Sequence, residues 1–237
     1  MKPFVFSYLR TLKVKQNGKY GLIQIDSAAA PKKVADIVYD DIGIDDDSYK
    51  IRVAQGNMKD YLYNGKPYFD LVYNDVLYFA KYRQFTIKSG KKWGVAQEDK
   101  RIIIKTNYEK IMFVDARTYM VKKSGKWGII DNQDKVMIPI QYTEFDFRPE
   151  GFFFAAKNGK WGVVSLKQGV ILPPKYDDLM VLPNKTFLVQ SKGKIGVVGI
   201  GDKVIVPIEY SDVNYKEGDS SVELKHQDGR KYKYRIK

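Results

Sequence analysis

The chain contains no cysteine and a single histidine, His226. Without cysteine there is no disulfide, no thiol nucleophile and no thiolate metal site. His226 lies in a basic C-terminal segment, and with it as the sole imidazole neither a Ser-His-Asp arrangement nor a common His/Cys zinc site can be assembled. The expectation is therefore no catalytic residue, no metal and no cofactor. Long apolar runs are lacking as well. No stretch approaches the roughly 18 apolar residues that a membrane-spanning helix needs. An apolar run over residues 4–9 is broken by Ser7. It is short for the core of a signal peptide and has no small-residue cleavage site behind it. The sequence thus reads as soluble and not inserted in a membrane, either cytoplasmic or secreted after loss of a leader.

Acidic residues are outnumbered, 28 Asp and Glu against 41 Lys and Arg, for a net charge of +13. Such a balance bears on solubility and on acidic partners rather than on fold. Nucleic acid, anionic lipid, acidic polysaccharide or an acidic protein would suit it; a solvated basic surface is the plainer alternative.

The 237 residues suffice for one large domain or two small ones. Eighteen Tyr and 12 Phe, together with many Val and Ile, lean towards strands. Two markers recur along the chain. Lys92-Trp93-Gly94, Lys126-Trp127-Gly128, Lys160-Trp161-Gly162 and Lys194-Ile195-Gly196 are spaced by 34 residues, with Lys19-Tyr20-Gly21 as a weaker copy. Tyr39, Tyr73, Tyr108, Tyr142, Tyr176 and Tyr210 follow at spacings of 34 or 35. The first copy holds four extra residues around Ser27 and Ala28-Ala30. The second keeps its Tyr but lacks the Trp-Gly pair, near whose place stands Asp60-Tyr61. A fixed period on two markers signals a repeat architecture.

Each unit reads alike: an apolar run, a tight turn such as Asn158-Gly159, a run opening on Trp-Gly, a polar turn, and an apolar run ending in Pro and the marker Tyr. Asn-Gly and its relatives supply the positive φ of two-residue hairpins. The runs are too short and too β-branched for helical repeats, which share this period, so three or four strands per unit are expected. The Gly after Trp should admit a close backbone or ring, and the Pro should sit at a strand end or edge.

These residues resemble the bacterial WG repeat, or KWG repeat: a Gly turn, Lys-Trp-Gly, a polar turn, an apolar run with Pro, then Tyr. The resemblance covers roughly residues 12–218 and is sharpest over 119–152 and 153–186. It implies an interaction module and brings no catalytic residues. The expected units are 12–50, 51–84, 85–118, 119–152, 153–186 and 187–218, with a capping hairpin at 219–237. The same half-unit at both ends favours an all-β open solenoid-like array over a six-bladed propeller.

Trp93, Trp127, Trp161, Tyr108, Tyr142, Tyr176 and Tyr210 are expected to be core anchors first and stacking platforms second. Lys92, Lys126, Lys160 and Lys194 should sit at turns, forming a row able to track a polyanion. Asp40, Asp41, Asp45, Asp46 and Asp47 lack the alternation of a calcium loop and read as a solvated connection. Gly199-Ile200-Gly201 lacks the spacing of a phosphate loop and reads as a turn. Glu144, Asp146, Asp177, Asp178 and Asp212 recur near the marker Tyr, which suits turn capping better than a single catalytic pair. The function expected is a non-catalytic binding or scaffolding module for a protein partner; the alternative is a nucleic-acid or polyanion binder.

Overall fold

The computed structural model describes residues 5–6, 11–26, 29–45, 50–148, 151–215, 218 and 220–236. Most of the N-terminal apolar run, Ser27 and Ala28 of the insertion, and Asp46 and Asp47 of the acidic cluster lie outside them. Among the described residues there is no α-helix, and the strands form seven antiparallel sheets.

In the first sheet the strands are β1 (Val5–Phe6), β2 (Thr11–Gln16), β3 (Lys19–Asp26) and β4 (Ala29–Tyr39). The second holds β5 (Asp41–Ile44), β6 (Ile51–Gln55), β7 (Met58–Tyr63) and β8 (Lys66–Pro67). The third is β9 (Asp75–Phe79), β10 (Gln84–Ser89), β11 (Lys92–Gln97) and β12 (Ile102–Tyr108). The fourth is β13 (Lys110–Asp115), β14 (Thr118–Lys123), β15 (Lys126–Asp131) and β16 (Val136–Tyr142). The fifth is β17 (Glu144–Phe147), β18 (Phe153–Lys157), β19 (Lys160–Ser165) and β20 (Gly169–Tyr176). The sixth is β21 (Asp178–Val181), β22 (Phe187–Ser191), β23 (Lys194–Val198) and β24 (Val204–Tyr210). The seventh has three strands, β25 (Asp212–Asn214), β26 (Ser221–Lys225) and β27 (Lys231–Arg235).

Within every sheet the strands run in sequence order, a simple meander. The chain divides into two compact units, residues 1–119 with 131–134 and residues 120–130 with 135–237, the division falling within the fourth sheet. An all-β chain of tandem meanders was legible in the sequence; the regular unit is four strands. Each of these sheets ends on a marker Tyr, and after a single residue the next begins, save where Tyr73 stands beyond the short β8.

The expected hairpin chemistry is present. Asn17-Gly18, Ser124-Gly125, Asn158-Gly159 and Lys192-Gly193 all have positive φ at both turn positions, the conformation that matches strand twist in a two-residue hairpin. Gly199-Ile200-Gly201 is a turn leading to β24, with one 3-10 turn over Ile200–Asp202.

The Trp-Gly pair has a geometric reason. The first residue of the pair sits opposite the marker Tyr across the third and fourth strands: Tyr20 with Tyr39, Trp93 with Tyr108, Trp127 with Tyr142, Trp161 with Tyr176 and Ile195 with Tyr210. Immediately after it the register slips, because two residues on the third strand face four on the fourth. Trp127 to Ile129 spans Tyr142 to Ile138. The bulged backbone crosses over the glycine. A Cβ on Gly162 would lie 2.5 Å from the Leu172 carbonyl oxygen and 2.7 Å from Pro174 N. A Cβ on Gly128 would lie 2.7 Å from Ile138 O, and Gly196 meets Pro207 O at 2.7 Å. Pro139, Pro173, Pro174 and Pro207 sit in this bulge, where a missing N–H disrupts no ladder.

The core lies between successive sheets. Leu22, Ala35 and Tyr39 of the first sheet pack on Ile42 and Val53 of the second. Val163, Leu172 and Tyr176 of the fifth pack on Leu179, Phe187 and Val189 of the sixth. Val197, Val206 and Tyr210 of the sixth pack on Val222 and Leu224 of the seventh. A lone sheet has one face left to cover, so each unit is stabilised by its neighbour. Tyr39, Tyr108, Tyr142, Tyr176 and Tyr210 are all buried. Trp93, Trp127 and Trp161 are half-buried, and Trp161 packs against the core shared by the fifth and sixth sheets. Lys88 lies over the Trp93 ring at 5.2 Å and Lys122 over Trp127 at 5.5 Å.

Candidate binding site

After three of the marker tyrosines the next residue connects one sheet to the following hairpin turn. Asp40 accepts the Gly56 N–H at 2.6 Å, Asn74 that of Gly90 at 2.6 Å, and Asp177 that of Lys192 at 2.6 Å. Two marker hydroxyls bond a different turn of the next sheet, the one between its third and fourth strands. Tyr108 donates to Asp134 at 2.5 Å, and Tyr176 donates to Asp202. Burial, and then the bond to the carboxylate, raise both phenols above the ordinary tyrosine value.

The lysine row is split by this same residue. Lys92, Lys126, Lys160 and Lys194 each open a third strand rather than sit in the turn itself. Lys92 pairs with Glu109 at 3.2 Å, Lys19 with Asp40 at 2.5 Å, and Lys160 with Asp177. The bond from Lys160 holds the Asp177 carboxyl below its ordinary value. At the corresponding places after Tyr142 and Tyr210 stand Thr143 and Ser211. Lys126 and Lys194 accordingly form no ion pair among the described residues. The acids near the marker are engaged locally: Asp178 accepts from Leu179 N, Asp212 from Val213 N, and Asp146 pairs with Arg148. His226 lies 3.5 Å from Glu209 and packs beside the Tyr210 ring. Among the described residues no cluster of three metal-ligating side chains occurs, and no helix is long and apolar enough to cross a membrane.

The second sheet breaks the pattern. Its hairpin register pairs Gln55 with Met58, as Ser89 pairs with Lys92 in the third sheet. Lys59 and Asp60 therefore stand in the Trp and Gly places, one residue earlier than the sequence comparison of Asp60-Tyr61 placed them. A Cβ at the Gly place excludes the bulged fourth strand. The fourth strand here is the two-residue β8, and the chain then turns through Asp70 and Leu71 at positive φ. The fully buried Asp60 carboxylate occupies the vacated space. It accepts from Tyr61 N at 2.7 Å, Phe69 N at 2.7 Å and Leu71 N at 3.1 Å. Burial raises its pKa, and the three N–H donors act against that rise. Lys59 N still donates to Tyr73 O at 3.0 Å, which keeps the marker in place.

In place of a regular fourth strand the segment contributes aromatic rings, and beside them lies a cavity of about 520 Å³. Tyr61 and Phe85 form its buried floor, and Leu62, Tyr63 and Tyr68 its wall. Tyr68 stacks on Phe85 at 5.4 Å and meets Tyr63 edge-on at 5.8 Å; Tyr63 is 65% exposed. Lys50, Glu98, Asp99 and Lys100 stand at the rim. The hydroxyls of Tyr61 and Tyr68 are engaged internally. Tyr61 donates to Asp45 at 2.6 Å, and Tyr68 donates to the Glu98 carbonyl. The Glu98 carboxylate takes the Tyr78 hydroxyl and Arg83. Those bonds, Tyr78 foremost, lower the Glu98 pKa, while burial and the same bond push Tyr78 up to about 12. Asp99 accepts Arg101 N at 3.0 Å. Lys100 lies 4.8 Å over the Tyr68 ring and Lys50 4.5 Å over Tyr78.

Of these cavity residues only Tyr61 was named from the sequence, and as a marker of the irregular copy rather than as a binding residue. Their signal was the second copy's loss of Trp-Gly together with the density of Tyr and Phe between residues 61 and 85.

Seven antiparallel meanders in tandem, with neighbouring sheets packed on one another within each compact unit, define a tandem β-repeat protein in which the second sheet breaks the pattern. The WG containing repeat family model matches residues 93–127, 127–161 and 161–194, so this stretch of the chain is similar to three consecutive WG repeats. No curated protein matches the chain. Among solved structures the chain is similar to a eukaryotic initiation factor, with 8% identity, 94% of this chain and 59% of that one covered, and a TM-score of 0.38. It is also similar to Hsv2p of Kluyveromyces lactis, with 12% identity, 83% and 74% covered, and a TM-score of 0.36. The chain therefore spans less than two thirds of the first of these structures.

Proposed function

We propose that this chain is a non-catalytic recognition module that binds a protein partner, and that the cavity beside the second sheet is its contact site. The observation that carries this reading is the coincidence of irregularity and concavity. The repeat fails at the Trp-Gly pair of the second sheet, and there the structure has an aromatic-walled cavity of about 520 Å³, within the usual size of ligand sites. The acids that recur near the marker Tyr support the non-catalytic part, since Asp177, Asp178 and Asp212 bind neighbouring N–H groups. The test is selection of a displayed random-peptide library on the full chain, with retention scored against Tyr63→Ala. Peptides retained equally by the variant would argue against the site, and recovery of none would argue against protein binding.

A second reading rests on a different observation. Lys126 and Lys194 form no ion pair among the described residues and lie in one unit, so a polyanion could bind there. Titration of a labelled oligonucleotide at two salt concentrations separates the readings. Phosphate binding releases counterions and weakens steeply with salt; absence of binding at low salt would exclude it.

A further inference from the structure

The chemistry of the cavity wall narrows the class of its occupant. A sugar offers many hydroxyls, and each buried polar group left without a partner is costly. Yet the hydroxyls of Tyr61, Tyr68 and Tyr78 are already bonded to Asp45 and Glu98, and Glu98 is further bonded by Arg83. Asp99 is held by the N–H of Arg101 and lies 3.7 Å from its guanidinium. The wall thus presents chiefly ring faces and edges: Tyr61 and Tyr68 have already donated their hydroxyl protons, and the exposed Tyr63 carries its hydroxyl at the mouth. Phe85 and Tyr61 close the floor, and the ring of Tyr63 is open to solvent. The charge that remains at the mouth is cationic. Lys100 forms no ion pair among the described residues and rests on the Tyr68 ring.

We infer that the cavity takes an acidic linear peptide of a partner protein, with an aromatic or large aliphatic side chain seated on Phe85 and Tyr68 and an adjacent carboxylate on Lys100. This rests on the protein-binding reading above and names the partner's chemistry. The anchor ring stacks against Phe85 and Tyr68 with Tyr63 beside it, an arrangement that aromatic pairs favour. Its acidic neighbours find a chain of net charge +13, which speeds encounter and selects against basic partners. A lysine already poised over a ring is shifted little to meet a carboxylate at the ring's edge.

The probe is a fluorescein-labelled pentapeptide with phenylalanine flanked on each side by two acidic residues. It is titrated into the full chain while backbone amide shifts are followed. The expected result is saturable shifts centred on Tyr63, Tyr68 and Lys100. Lys100→Glu should weaken binding on the order of tenfold, as reversal of one interfacial charge does. Tyr63→Ala should weaken it as well; because Tyr63 is exposed, the variant keeps its fold, and unchanged circular dichroism verifies this. Replacing the peptide's phenylalanine by alanine should abolish the shifts. Shifts of equal size with the alanine peptide, or binding unmoved by both variants, overturn the inference. So does tighter binding of a neutral oligosaccharide. Failure of the wider reading is distinguishable: library selection would then return no peptides at all, whereas peptides that bind elsewhere on the chain remove only the cavity assignment.

Discussion

Replacing Gly162 by alanine is the sharpest test of why Trp is followed by Gly. The backbone at Gly162 is not in the left-handed region, so the substitution is strained by contact alone. The added Cβ would meet Leu172 O at 2.5 Å, Pro174 N at 2.7 Å and Pro173 C at 2.8 Å. Ordinary contact begins at 3.4 Å, so the bulge must retreat by 3.4 − 2.5 = 0.9 Å. The obstacles are backbone atoms, which no rotamer change can move. Overpacking of this kind costs about 1–3 kcal/mol. Restriction of the unfolded chain returns about 0.4–1 kcal/mol. The expected net loss is about 1.3 kcal/mol, or roughly 3–5 °C in melting temperature for a chain of this length. Gly43 is the control: its φ is likewise outside the left-handed region, and nothing lies within 4 Å of its Cβ position. Gly43→Ala should be neutral or stabilise by about 0.4–1 kcal/mol. Because the two glycines lie in different units, Gly94→Ala is measured beside Gly43→Ala and should behave like Gly162→Ala. Urea unfolding followed by tryptophan fluorescence and circular dichroism reads all three. Equal midpoints for Gly162→Ala and Gly43→Ala would refute the close-approach account.

Three further outcomes follow from the same geometry. Asp60→Asn places an N–H₂ where an oxygen accepts backbone donors, and should destabilise by about 1–3 kcal/mol; an unchanged urea midpoint would show that the carboxylate does not organise the second sheet. Tyr61, Tyr108 and Tyr176 have folded-state pKa values raised by burial. Folding therefore holds their protons, so their contribution is full below the ordinary tyrosine value of 10.0 and is lost as pH rises beyond it. Denaturation midpoints that stay flat through that alkaline range, while tyrosinate absorbance shows the phenols ionised, would contradict the assignment. Lys126→Glu with Lys194→Glu should remove any salt-sensitive oligonucleotide binding while leaving the melting temperature nearly unchanged, because neither lysine has a partner to lose.

The repeat was readable because its markers answer to geometry that recurs at a fixed spacing. The paired Trp and Tyr, the glycine under the bulge and the positive-φ turns each leave one residue type at one place. The half-buried state of Trp93, Trp127 and Trp161 was not readable, since an aromatic in an apolar run does not reveal how much of its ring the neighbouring sheet covers. The split lysine row depended on Thr143 and Ser211, whose effect is visible only when the residue after each marker Tyr is brought beside the preceding third strand. The cavity was the least legible. It arises from what Asp60 prevents, and a periodic pattern says little about a copy that departs from it.

The second sheet departs from its siblings at one place: Asp60 pairs with Val53 as Gly196 pairs with Val189, and only the two-residue β8 follows. Completion of a meander is thus tied to a single position of the copy. A duplicated repeat can be left open by altering a single codon, and the ledge so exposed becomes raw material for a contact that its intact siblings cannot offer.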